Sequence, residues 1–104
     1  MIIDHRTYTV AHGKMQEYLA RYERVALPLQ TRHLGHLVGF FVSDIGPLNQ
    51  VVHLWAYDDI TDRETRRARL AADPQWVEFQ RMNAGTFVHQ ENKILRPTGF
   101  SPLR

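Results

Sequence analysis

The chain has 104 residues, 43% apolar and 23% charged, with 13 Lys and Arg against 11 Asp and Glu, a formal net charge of +2 and no cysteine. That length fits one domain with a small core, and so slight a charge excess gives no field of the kind that gathers nucleic acid. The missing thiols exclude a disulfide framework and thiolate metal sites and match a reducing compartment. The opening MIIDHRTYTV has no basic stretch leading into an apolar one, and no later run approaches the ~18 apolar residues of a membrane span. The expectation is a cytoplasmic protein with neither a membrane span nor a nucleic-acid partner.

Ile2 to Val10 has the β-branched and aromatic content of a strand, but Asp4 and Arg6 share a parity with Ile2, Tyr8 and Val10, so one face mixes charge with aromatic surface. After His12-Gly13, the residues Met15, Tyr18, Leu19, Tyr22, Ala26 and Leu29 recur at helical spacing. Pro28 predicts a kink or break near Leu27. Leu37 to Ser43 and Val51 to Tyr57 read as strands joined through the turn formers Asp44 to Asn49, an antiparallel hairpin. Thr61 and Glu64 have the spacing of a capping box for a helix starting at about residue 62. Its arginines, Arg63, Arg66, Arg67 and Arg69, read as a solvated face. Asp73-Pro74 opens a further helical segment through Trp76, Phe79 and Met82; Gln90 to Leu95 is the last strand, and residues 96–104 form an extended tail.

The order β-α-β-β-α-β is that of an α+β, ferredoxin-like fold, a single domain over residues 1–104 with an antiparallel four-stranded sheet and helices on one side. On the third strand Val51, His53, Trp55 and Tyr57 share one face and Val52, Leu54 and Ala56 the other. The smaller aliphatic face suits the helices, which leaves the bulky face for a second copy. A homodimer follows, its interface larger than the roughly 1,600 Å² of a standard one, with Phe100 and Leu103 of the tail as a strap or lid.

The chain also resembles the NIPSNAP domain proteins over nearly its whole length. The carriers are Arg6-Thr7-Tyr8 ahead of Gly13, Leu37 to Phe41 leading to Ser43-Asp44-Ile45-Gly46, Leu48 to Tyr57, Asp62-Arg63, Asp73-Pro74-Gln75-Trp76 and Pro97-Thr98. His5 stands where the pattern has an apolar strand residue. The resemblance implies a dimeric α+β barrel, two sheets packed open face to open face, a topology shared with cofactor-free monooxygenases and haem-binding or haem-degrading domains. It implies no single reaction.

His53, Trp55 and Tyr57, with Arg6 and Tyr8 on the neighbouring strand, supply the donors and aromatic walls of a small-molecule pocket on the sheet face. The same residues could instead fill a dimer core. Six histidines invite a metal, but none is paired on one helix face, and His53 and His89 are the only sensible axial ligands for a haem; neither metal nor cofactor is expected. No nucleophile elbow or phosphate-cradling loop is present. The leading reading is a NIPSNAP-like domain binding a small, partly aromatic or anionic molecule through Arg6, Tyr8, Trp55 and Tyr57. The alternatives are a cofactor-independent oxygenase or isomerase, with His53 as catalytic base or hydrogen-bond donor and Arg6 at an oxyanion, and a protein-interaction module without a ligand.

Overall fold

The computed structural model describes residues 1–104. Strand β1 (Ile2–Val10) leads through Gly13, in the left-handed region at φ 79°, into a long helical run. That run comprises α1 (Met15–Arg21), a π-helical segment (Tyr22–Ala26) and α2 (Leu27–His33). Pro28 lies in the first turn of α2, directly after the wide turn, where its missing N–H leaves no gap in a regular ladder. The expected break is therefore a π turn inside one continuous helix. Gly35, at φ 90°, ends it.

Strands β2 (His36–Val42) and β3 (Gln50–Tyr57) form the expected hairpin, with Gly46 and Asn49 both at positive φ in its loop. Helix α3 (Ile60–Ala71) starts two residues before the predicted point, because Asp59 and not Thr61 caps it: the Asp59 carboxylate accepts from the Asp62 amide at 2.7 Å. Asp73 caps α4 (Pro74–Met82) as its sequence predicts, accepting from the Gln75 amide at 2.9 Å. Strand β4 (Phe87–Leu95) begins three residues earlier than Gln90. The sheet is antiparallel throughout in the order β2-β3-β1-β4, the ferredoxin-like arrangement.

The register sets Asp4 opposite Trp55, Arg6 opposite His53 and Tyr8 opposite Val51. This face is the one beneath the helices, which reverses the expected assignment. Trp55 and Tyr57 pack with Ile2, Leu29, Leu34 and Leu70, while Val51 packs with Val10, Tyr18, Tyr22, Ala26 and Phe79. Helices stand off a sheet by a distance that only large side chains span, so bulk marks the covered face. Val52 and Leu54 lie on the open face with Phe41, which is 56% exposed and whose ring lies over Gly39. Phe100 is 87% exposed and Leu103 is also exposed, so the tail closes no part of its own core.

Along β1 a charged cluster stands between the two apolar ones, which Val25 and Trp76 join on the helix side. Asp4 is 0% exposed and accepts from Arg6 at 3.1 Å, Arg63 at 3.0 Å and Asn92 at 3.3 Å, with Arg67 at 4.0 Å. Arg63, Arg66, Arg67 and Leu70 form the inward face of α3, so most of the cluster read as solvated turns inward instead. Burial opposes ionisation of Asp4, but the charge and hydrogen bond of Arg6 and the bonds from Arg63 and Asn92 outweigh it and hold the carboxyl below its usual value. Its stabilising effect is thus present above the unfolded pKa and lost as pH falls through the folded one. Removing one partner of such a buried cluster costs about 3–5 kcal/mol. Asp4→Asn is expected to lower the urea-unfolding free energy at pH 7 by that amount and to flatten the acid limb below about pH 4; a loss below about 1 kcal/mol would mean that the arginines find other partners.

Candidate functional site

Against the cluster of Tyr18, Tyr22 and Phe79 the sheet and helices form a cavity of about 390 Å³, within the range of small-molecule pockets. Its floor is the helix-facing side of β1 and β3, with Arg6, Tyr8 and His53. Tyr18 of α1 and Tyr22 of the π segment form one wall, Trp76 and Phe79 of α4 another. Exposed Gln80, Gly85 and Gln90 border the mouth. Arg67 reaches in from α3.

Two polar contacts fix the walls. Arg21 donates through Nε and an η nitrogen to Asn83 Oδ1 at 3.0 and 2.8 Å, and to Thr86 Oγ1 at 3.2 Å, tying α1 to the turn before β4. Across the π segment the Tyr22 hydroxyl donates to Gln30 Oε1. Burial pushes the Tyr18 and Tyr22 phenols far above their usual range, so both remain neutral donors.

His53 is 2% exposed, stacked on Phe40 at 4.7 Å and met edge-on by Tyr8 at 5.0 Å. Its Nδ1 lies 3.0 Å from Trp55 Nε1. An indole nitrogen can only donate, so Nδ1 must accept, and the ring proton sits on Nε2. That Nε2 has no partner, nor has Arg6 Nε, although both are buried. Burial, reinforced by the charge of Arg6, lowers the His53 pKa to about 3, so the ring is a neutral donor at pH 7. With its one lone pair engaged by Trp55, it has none to act as a base. Arg6 is anchored by Asp4 and donates to the Tyr8 hydroxyl at 2.7 Å.

Of the residues singled out from the sequence, Arg6, Tyr8 and His53 border the cavity together. Trp55 does not; it is 0% exposed and acts through His53. Tyr57 lies farther along the strand, in the apolar cluster with Leu34 and Leu70, its buried hydroxyl beside Arg67. Sequence reasoning missed Arg67, Tyr18, Tyr22, Gln30 and Asn83. The helical stripe had assigned the two tyrosines to the core without their polar ends, and the spacing of Arg63, Arg67 and Leu70 was the available signal for an inward arginine face.

No group of acidic or histidine side chains is arranged to hold a metal ion, and no helix is long and apolar enough to cross a membrane. A folded pKa far below the unfolded His value means that His53 contributes stability fully above about pH 6.5, lost as pH falls toward about 3. The difference in unfolding free energy between wild type and His53→Gln is therefore expected to shrink from pH 7 to 4, by a few kcal/mol at most. Urea titrations at several pH values check this. A difference that is constant with pH would mean that the ring titrates in the fold as it does in the unfolded chain.

The NIPSNAP family profile matches residues 3–102. Protein NipSnap homolog 2 of Danio rerio is 34% identical over 103 residues, 99% of this chain and 35% of the relative. Protein NipSnap homolog 3A of Homo sapiens is 36% identical over 91 residues, 86% of this chain and 36% of the relative. The chain thus spans about a third of the length of these curated relatives. Among solved structures, a NIPSNAP family protein from Agrobacterium tumefaciens is 46% identical and superposes with a TM-score of 0.96, covering 99% of this chain and 98% of that one. A provisionally named antibiotic biosynthesis monooxygenase from Nitrosomonas europaea is 14% identical with a TM-score of 0.69, over 93% of this chain and 98% of that one, a likeness of fold alone. With the profile spanning nearly every residue of the fold just described, the chain belongs to the NIPSNAP family.

Proposed function

We propose that this NIPSNAP domain binds a small, partly aromatic molecule bearing an anionic oxygen, in the cavity between sheet and helices, and does so as a homodimer. The observation that carries the reading is the pair of buried, unpartnered donors, His53 Nε2 and Arg6 Nε, on two residues that border the cavity and could turn them to a ligand with a small shift of side chain. A buried donor without an acceptor is costly and rare, and a bound oxygen would supply what the protein withholds. Charge supports an anion: Arg6 and Arg67 both border the cavity with the Asp4 carboxylate beside them, while Arg63 is shared between Asp4 and Glu64. Tyr8, Tyr18, Tyr22, Trp76, Phe79 and Phe87 supply walls for a flat apolar body.

The same donors favour one further reading, an enzyme that stabilises an oxyanion without a cofactor. His53 would then act as donor and not as base, and the base would be another group. A pure interaction module is less well supported, because side chains do not fill the space. The dimer rests on the open sheet face, where Phe41, Val52 and Leu54 form an apolar strip that a second copy would cover.

Isothermal titration with benzoate, cinnamate and 2-naphthoate tests the pocket. Saturable binding is expected for wild type, and Gln80→Trp, which fills the mouth from an exposed position, should weaken it at least about tenfold with the urea midpoint unchanged. Absence of saturable binding across the three acids removes the reading. For the dimer, light scattering at low micromolar concentration should give twice the 12.2 kDa chain mass; a monodisperse particle of one chain would mean that the strip stays in water.

A further inference from the structure

We infer that Trp55 sets the hydrogen-bonding polarity of the pocket: by donating to His53 Nδ1 it locks that ring as an Nε2–H donor, so the floor accepts ligands only through an acceptor oxygen. Trp55 is a positioning residue, since it touches no part of the cavity. The inference deepens the reading above and rests on it for the identity of the ligand, but the lock exists in the empty protein.

A neutral imidazole has two tautomers of similar energy, and in an open environment it would present either a donor or an acceptor to whatever enters. Here the choice is made by covalent chemistry, because an indole nitrogen has no second role. His53 and Trp55 lie two apart on β3, so their side chains leave the same face of the strand. The Trp55 ring is held by the cluster of Ile2, Leu29, Leu34, Tyr57 and Leu70 and has no exposed surface. Phe40 stacks on the His53 ring and Tyr8 meets it edge-on, which resists rotation into an alternative pose. Directly across the ladder is Arg6, which can only donate.

Both central floor groups therefore offer hydrogens and no lone pairs. A carboxylate, enolate or phenolate oxygen satisfies them. An ammonium group or an amide N–H aimed at the same place would meet donors head-on and leave its own hydrogen buried and unpaired, which is how a polar site rejects the wrong partner most strongly. The ligand class that follows is a planar apolar body ending in an anionic or strongly polarised oxygen. Amines of the same shape are excluded.

The test has two arms that fail separately. Long-range proton–nitrogen spectra of imidazole-labelled protein, free of ligand at pH 7, should show His53 as the single Nε2–H tautomer. Trp55→Phe should give a mixture of tautomers, and Tyr57→Phe, a change on the same strand face, should leave the wild-type pattern. A wild-type ring that is protonated on Nδ1 or on both nitrogens overturns the lock, and needs no variant to fold. So does a Trp55→Phe spectrum identical to wild type. In the binding arm, wild type should take benzoate and not benzylamine, and His53→Leu should weaken benzoate at least about tenfold. If neither ligand binds while the tautomer is as stated, the proposed ligand falls and the lock stands. If benzoate binds while the ring carries its proton on Nδ1, the lock falls and the pocket stands. Equal binding of benzylamine and benzoate overturns the selection by polarity.

Discussion

A single buried carboxylate organises the covered side of the sheet. Asp4 draws Arg6 along its own strand, Asn92 from β4, and Arg63 and Arg67 down from α3. Taking ions out of water is expensive, and a well-packed apolar group of similar size often serves stability as well or better. In a chain where only 19 residues are buried, a charged cluster between the two halves of the core is a large concession. What it provides is geometry. Arg6 is held through its η nitrogens by Asp4 and Tyr8, which leaves its Nε buried with nothing to bind.

The same cluster explains why the apolar core comes in two pieces. Trp55, Leu34 and Leu70 close one end of the sandwich and Val10, Tyr18 and Phe79 the other. Val25 and Trp76 pack against both sets on the helix side, and the space over Arg6 and His53 stays open beside Trp76. Helix α3 anchors to the band through arginines, while α4 meets the aromatic end through Trp76 and Phe79. The cavity lies against the aromatic end, where the charged band meets it.

Element types and topology were legible because each had a local cause: turn formers at Asp44 to Asn49, a cap at Asp73, helical spacing from Met15 to Leu29. The covered side of β3 was not. Both parities of that strand are apolar, so alternation carried no sign, and only the three-dimensional gap beneath the helices selects the bulkier set. Arg63 and Arg67 were misread for a related reason. A charged residue on a helix is ordinarily solvated, and its exception here depends on Asp4, fifty-nine positions before Arg63, lying under the same helix turn. Arg6, Tyr8 and His53 could be grouped from parity alone, whereas the role of Trp55 needed the direction of one N–H bond.

The π segment has a consequence for how the first helix meets the sheet. In an ordinary α-helix each residue advances about 100° around the axis, and a wider turn absorbs one residue without that rotation. Tyr18 and Tyr22 precede or open the slip and face the cavity; Leu29 and Gln30 follow it, Leu29 entering the apolar cluster around Trp55 and Gln30 returning to the cavity wall. The helix thereby serves two neighbourhoods whose angular positions a regular spiral would not match. Its sequence is phased to the slip: losing one residue here would let the turn close to a regular α-helix with Leu29 and Gln30 keeping their places, whereas one residue more would swing both of them by about 100° around the axis.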